Sequence, residues 1–221
     1  IRHFQGLLRT AAHLWPHRPA ARAAVDIALH DAFTRLLGIP LVDYLGRVHQ
    51  SFCTSVTLGI QSTEQTLTEA ETFIGLGFRI LKLKTGRSVA EDVETFSKLR
   101  ERVGPGVTIR IDANQGYGPK ELQQFADATR HLDVEIHEQP FPARRTEVMQ
   151  ELPGDLRRRC AADEDLISPA DALRLSRTPQ PYGIYNIKLM KCGGIEPARQ
   201  IADTAREAGI ELMWGCNDES A

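Results

Sequence analysis

Residues 107–138 read VTIRIDANQGYGPKELQQFADATRHLDVEIHE. Two short runs rich in branched apolar residues, Val107–Asp112 and Val134–Glu138, flank an amphipathic stretch at about 119–132. Each run stops on a carboxylate, first Asp112 and then Glu138. Strand, helix and strand within about 30 residues is the smallest unit of a parallel sheet with a helical crossover.

The same unit repeats outward in both directions. Runs at Phe52–Leu58, Arg79–Lys84, Arg158–Asp163, Ile184–Lys188 and Ile210–Gly215 alternate with stretches at 63–76, 88–103, 143–152, 168–177 and 195–208 that read as helices. Pro169 and Pro197 stand near two helix starts, where a missing N–H costs little. This alternation predicts parallel strands and right-handed crossovers. It leaves two architectures, an open doubly wound sheet or a (β/α)8 barrel without its last unit. From the second strand onward the runs end on Lys84, Asp112, Glu138, Asp163, Lys188 and Gly215, spaced 25–28 residues apart. Such a step places them at equivalent points, the carboxyl ends of successive strands. In a barrel those ends ring one mouth, where active sites form, and in an open sheet they lie in a row. No GxGxxG or Walker-type loop follows a strand, which weighs against the nucleotide-binding open sheet. The expected fold is α/β, a (β/α)8 TIM-type barrel truncated after strand seven.

The first 50 residues follow another rhythm. Residues 1–17 carry no clear period. From Pro19 onward Val25, Ala28, Leu29, Ala32, Phe33, Leu36 and Leu37 fall at helical spacing on one face. Pro19 suits the first turn, Gly38 the C-terminal cap, and Pro40 blocks continuation. The chain therefore divides into 1–50 and a barrel domain at 51–221.

Lys and Arg total 27 against 29 Asp and Glu, so no basic excess exists to hold a phosphate backbone, and nucleic acid is not an expected partner. No apolar run approaches the roughly 20 residues that span a bilayer, and no charged-then-apolar leader opens the chain, which begins at Ile1. Cys53, Cys160, Cys192 and Cys216 form no CxxC pair. They are expected to be reduced, mostly buried thiols of a cytoplasmic protein. The seven histidines share no spacing and read as surface or packing residues; His137 should point away from Glu138 across its strand.

Three carboxylates on consecutive strand ends, Asp112, Glu138 and Asp163, cannot all stay ionised in one place without a cation. All-oxygen donors suit Mg2+, or Mn2+ in its stead. Lys84 and Lys188 end strands two and six, which face each other across an eight-stranded mouth, and so suggest two bases on opposite sides of one substrate. Lys82 lies two residues before Lys84, on the same side of the strand, and should lower its pKa. A weakly acidic proton next to a carboxylate is the substrate feature that needs both parts. The metal offsets the charge of the ene-diolate formed when that proton leaves, and two opposed bases then give racemisation or epimerisation. A leaving group in the beta position would give elimination instead.

The strings KLKTG (82–86), IDANQGY (111–117), EQP (138–140), ADED (162–165), NIKLMKCGGI (186–195) and GCNDES (215–220) resemble the muconate-lactonizing subgroup of the enolase superfamily, the mandelate racemase/muconate lactonizing enzyme family. The resemblance runs from about residue 20 to the end. It implies that Asp112, Glu138 and Asp163 are magnesium ligands, that Lys84 and Lys188 are the acid/base pair, and that Lys82 and Asn114 support them. It also implies that residues 1–50 are the last part of an N-terminal α+β capping domain. Within the subgroup, TSVTLGI (54–60) and the NIKLMKCGGI and GC…ES strings are most similar to dipeptide epimerases of the Ala-Glu type. That implies an isomerase acting on a dipeptide such as L-Ala-L-Glu, with Thr57 and Glu219 touching the substrate, and a homo-oligomer is expected to cover the edge left without an eighth strand. Two positions depart from the dipeptide-epimerase pattern, Asp165 where Ser is usual and Asn217 where Met is usual. The Asp-x-Asp pair of dipeptide epimerases follows an eighth strand, and the sequence stops at Ala221, before it. A cycloisomerase or dehydratase of a non-peptide acid, and a barrel fragment without turnover, are the alternatives.

Overall fold

A computed structural model describes residues 3–217. The chain runs α1 (Phe4–Leu14), α2 (Pro19–Leu37), α3 (Leu41–Leu45), β1 (Val56–Leu58), α4 (Thr63–Gly75), β2 (Ile80–Lys84), α5 (Val89–Val103), β3 (Thr108–Asp112), α6 (Pro119–Ala128), a 3-10 turn (Arg130–Leu132) and β4 (Val134–Glu138). It continues α7 (Thr146–Gln150), α8 (Gly154–Arg158), β5 (Cys160–Ala162), α9 (Pro169–Leu175), β6 (Ile184–Ile187), α10 (Leu189–Cys192), α11 (Ile195–Glu207) and β7 (Glu211–Trp214). Strand order is chain order, β1 to β7. A doubly wound sheet would reverse its order at a switch point. No reversal occurs, so the fold is the (β/α)8 barrel type, present here through its seventh strand.

Helix starts follow from local chemistry. Ser62 caps α4 by accepting from Gln65 N, while Gln65 Oε1 accepts from Ser62 N, a reciprocal capping box. Ser88 and Ser168 cap α5 and α9 one-sidedly, accepting from Glu91 N and Asp171 N, and prolines open α2, α6 and α9. Among the described residues no helix is long and apolar enough to cross a membrane.

Two compact units divide the chain. The strand-rich unit is Cys53–Asp165 with Pro179–Ile184. Its strands β1 to β5 pair in parallel, with Leu58 opposite Leu83, Leu83 opposite Ile111, and Ile111 opposite His137. Leu81, Leu83, Ile109, Ile111 and His137 share one face and are buried. Lys82, Lys84, Arg110, Asp112 and Glu138 share the other. His137 therefore points away from Glu138, as the alternation of a strand requires. Phe96 on α5 and Phe125 on α6 meet edge to face at 5.9 Å, and Phe125 meets His137 at 6.1 Å.

His137 is 1% exposed, and neither ring nitrogen has a hydrogen-bond partner. Burial, aided by Arg159, pushes its pKa down to about 3. Between that value and about 6.5 the unfolded chain binds a proton that the folded chain refuses. Stability from this group is full above pH 6.5 and is lost as pH falls toward 3, on the order of 5 kcal/mol in all. Urea unfolding across this range should show a steeper acid loss in the wild type than in His137→Leu. Parallel curves would remove His137 as the cause.

The helix-rich unit is Ile1–Phe52, Leu166–Thr178 and Tyr185–Ala221. Residues 1–17, read as without period, contain α1, which buries Phe4, Leu8 and Ala11. Its exposed Leu7 and Leu14 blur that spacing. α2 forms as expected from Pro19 to a left-handed Gly38, but its face is corrected. Ala23, Asp26, His30 and Thr34 are buried, while Leu36 is 76% exposed. The buried polar groups satisfy one another: His30 Nδ1 lies 2.9 Å from Asp26 O, and Thr34 Oγ1 donates to His30 O. Asp26 Oδ1 accepts from Ile195 N at 2.7 Å and so closes the N-terminus of α11. Gly193 and Gly194 allow this approach. Both have left-handed φ, and a Cβ would meet Arg22 and Asp26 side chains respectively at 2.5 Å. Burial raises the Asp26 pKa, and its backbone and His30 contacts offset only part of that.

Two further expectations change. Arg158, expected to open the strand run Arg158–Asp163, instead ends α8, and β5 starts at Cys160. The cysteines are all free, but Cys53 and Cys216 are exposed and only Cys160 and Cys192 are buried.

Candidate functional site

Register builds the site. Lys84 lies opposite Asp112 across β2 and β3, and Asp112 opposite Glu138 across β3 and β4. Three charged residues therefore stand at one level on three adjacent strands, and one level back Lys82 lies opposite Arg110. Lys84 Nζ is 2.8 Å from Asp112 Oδ2. Lys82 Nζ bridges Asp112 Oδ2 at 3.1 Å and Glu138 Oε2 at 3.2 Å. Both carboxylates are 1% exposed. Two buried anions at this distance would repel strongly without the ammonium between them. Burial acts against the charge on Lys82, but Glu138 and Asp112 together outweigh it and hold its pKa above the ordinary lysine value. Lys82 is a fixed cation.

Asn114 joins the cluster from the loop after β3. Its Oδ1 accepts from Lys84 Nζ, and its N–H donates to Asp112 Oδ1 at 3.0 Å. It sits at φ 43°, a region that Asn tolerates better than most residues. The loop is pinned by Gly86 against Gly116, where a Cβ on either would come within 2.9 Å of the Ala113 carbonyl oxygen. Asp92 accepts from Gly86 N at 2.9 Å and from the Tyr117 hydroxyl at 2.7 Å, tying the ends of β2 and β3 together.

Glu138 lies opposite Ala161, so Asp163 stands two residues farther along, one past the end of β5. Its N–H donates to Gln139 Oε1 at 2.9 Å. Asp163 is 3% exposed. Thr57 is exposed on β1, opposite Lys82. Lys188 directly follows β6 in the helix-rich unit and is 7% exposed. Glu219 lies outside the described residues. Gln139, Asp165 and Tyr117 lie inside the quoted strings EQP, ADED and IDANQGY, but no role for them is legible there, and Tyr182 and Asp92 carry no sequence signal.

The donors Asp112, Glu138 and Asp163 are buried carboxylates, and that chemistry fits a hard divalent cation of the Mg2+ kind. Among the described residues, no three acidic, histidine or cysteine groups are gathered closely enough to hold a metal ion as they stand.

Fold and site together define the class: a (β/α) barrel protein that gathers ionic side chains at the carboxyl ends of its strands. More specifically, the chain belongs to the enolase C-terminal domain-like family, whose model matches residues 65–221. It is 50% identical over 220 residues to the L-Lys-D/L-Arg epimerase of Methylococcus capsulatus, covering 100% of this chain and 62% of that protein. It is 33% identical over 217 residues to the L-Ala-D/L-Glu epimerase of Bacillus subtilis, covering 96% of this chain and 58% of that protein. A crystal structure of the Methylococcus capsulatus dipeptide epimerase with Mg and the dipeptide L-Arg-D-Lys matches with TM-score 0.96 and 50% identity, over 99% of this chain and 62% of that one. The chain thus spans about three-fifths of these relatives' length.

Proposed function

We propose that this chain carries the chemical centre of an epimerase that inverts a carbon next to the carboxylate of a dipeptide. The observation that supports it most is the level row Lys84, Asp112 and Glu138, with Lys82 bridging the two carboxylates. Asp112, Glu138 and Asp163 are the residues that would hold Mg2+, with Mn2+ as its substitute. Held there, such an ion would supply positive charge at the substrate carboxylate.

Lys84 and Lys188 move the proton. On one epimer the neutral amine of Lys84 takes the alpha proton and the ammonium of Lys188 returns one to the opposite face. On the other epimer the roles exchange. The electron pair of the broken C–H bond rests on the carboxylate oxygens as an ene-diolate until the new C–H bond forms. Lys82 keeps a fixed positive charge beside the carboxylates, and Asn114 orients the Lys84 ammonium. Thr57 and Glu219 belong to this reading as substrate contacts, and residues 1–50 as part of a capping domain. The exposed thiols Cys53 and Cys216 suit a reducing compartment, the cytoplasm, and a homo-oligomer belongs to the same reading.

The resemblance drawn from motifs implied an Ala-Glu substrate. The higher identity to a Lys/Arg-type relative supports a dipeptide with cationic side chains instead. In D2O with Mg2+, the intact protein should introduce deuterium at one alpha carbon of Lys- and Arg-containing dipeptides. It should do so faster than with L-Ala-L-Glu. Exchange into L-Ala-L-Glu alone would reverse the side-chain assignment. No exchange with any dipeptide, but turnover of a non-peptide acid, would favour the cycloisomerase or dehydratase.

A further inference from the structure

Gln139 is fully buried, sits at φ 33°, and uses its whole side-chain amide. Its Oε1 accepts from the N–H groups of Asp163 at 2.9 Å and Asp165 at 3.2 Å. Its Nε2 faces three acceptors: Phe141 O at 3.0 Å, Asp165 Oδ2 at 3.1 Å and the Tyr182 hydroxyl oxygen at 3.1 Å. The amide therefore has one workable orientation, with oxygen toward two donors and nitrogen toward three acceptors. Gln139 N also donates to Ala161 O at 2.9 Å, so the residue after Glu138 is bonded to β5 through its backbone and to the segment just after β5 through its side chain.

The far side of this amide rests on a second pair. Tyr182 donates to Asp165 Oδ2 at 2.7 Å, and Asp165 Oδ1 accepts from Arg144 N at 2.5 Å. Asp165 and Tyr182 are 3% and 1% exposed. The Tyr182 hydroxyl is a donor placed to meet the Asp165 carboxylate. A buried carboxylate so surrounded is satisfied, and the network is rigid because each member has a fixed role.

We infer that Gln139, Asp165 and Tyr182 form a positioning unit that sets the spacing of Glu138 and Asp163 and thereby the affinity for a divalent cation. None of the three touches the cation or the substrate. Gln139 follows one carboxylate in the chain and holds the backbone of the other, so any rotation of its amide moves both. The inference rests on the reading of Glu138 and Asp163 as metal-holding residues.

The test uses Mn2+ alone, titrated into the intact protein and followed by calorimetry and by the Mn2+ electron paramagnetic resonance spectrum. Tyr182→Phe removes one oxygen from a ring that stays in place. It should weaken Mn2+ binding about tenfold, within the range typical of groups that orient metal ligands, and broaden the bound spectrum. Asp165→Asn should weaken it as much or more, and the double variant should bind no worse than Asp165→Asn alone, because both act through one amide. Gln139→Glu places an oxygen where Nε2 donates and should have the largest effect. If that variant does not fold, Tyr182→Phe still decides. A purely structural role predicts lower melting temperatures with wild-type Mn2+ affinity and spectrum, and that result in Tyr182→Phe overturns the inference. Wild-type protein that binds no Mn2+ would instead remove the metal reading beneath it.

Discussion

Lys84→Ala is expected to lower dipeptide epimerisation by about 10²–10⁴-fold, the usual worth of a positioned acid or base, and Lys188→Ala by a similar factor. The two variants should fail differently. With one lysine gone, the remaining one still removes the alpha proton from the epimer that presents it. Deuterium should then enter one stereoisomer only, without inversion, and the two variants should select opposite stereoisomers. Lys82→Ala offers the contrast. Its ammonium bridges Asp112 and Glu138, so its loss leaves two buried carboxylates facing each other and should lower turnover of both stereoisomers without selecting between them. Chiral chromatography and proton NMR in D2O read all three. Full inversion by either Lys84→Ala or Lys188→Ala would end the two-base mechanism.

Gly183→Ala is expected to destabilise the fold by roughly 3 kcal/mol or more, at the upper end for overpacking a filled site. A Cβ at Gly183 would lie 2.2 Å from Arg158 O, 2.5 Å from its Cα and 2.7 Å from its carbonyl carbon. All three are backbone atoms at the end of α8, so no side chain can swing aside. Gly183 N also donates to Arg157 O at 3.0 Å, which holds the two segments together. In a protein of this size the cost corresponds to a drop of roughly 6–12 °C in melting temperature. Gly118→Ala is the control, because its Cβ would meet only the flexible end of Glu121. Equal stability of the two variants, measured by denaturant unfolding, would show that the close approach at Gly183 relaxes freely. Tyr182 precedes Gly183, so the same variant should also disturb the Gln139 network.

The errors of the sequence reading have physical causes. α2 was found with both ends right, yet its buried side was misassigned. Its apolar residues lie all round the helix, and the side that packs carries Asp26, His30 and Thr34, which become tolerable inside only because they bond to one another and to α11. In the sequence, Gly193–Gly194 suits an anion site and a tight turn equally. The structure answers with the protein's own anion: Asp26 occupies the N-terminus of α11. The partners of Tyr117 and Tyr182 are not legible in the sequence, since no local pattern marks a hydroxyl whose partner lies well over ten residues away.

Strand and helix order and the residues that end each strand were written in the chain itself. Periodicity is a local property: a residue faces one side of a strand or helix because of its near neighbours, and a repeat of 25–28 residues brings each polar strand end back to an equivalent place. Tertiary structure alone decided that Lys82 bridges two carboxylates, that Gln139 joins the exits of β4 and β5, and that Asp165 pairs with Tyr182. Those contacts depend on strand register and on side chains meeting at 2.7–3.2 Å across wide gaps in sequence, and nothing in a one-dimensional pattern sets such distances.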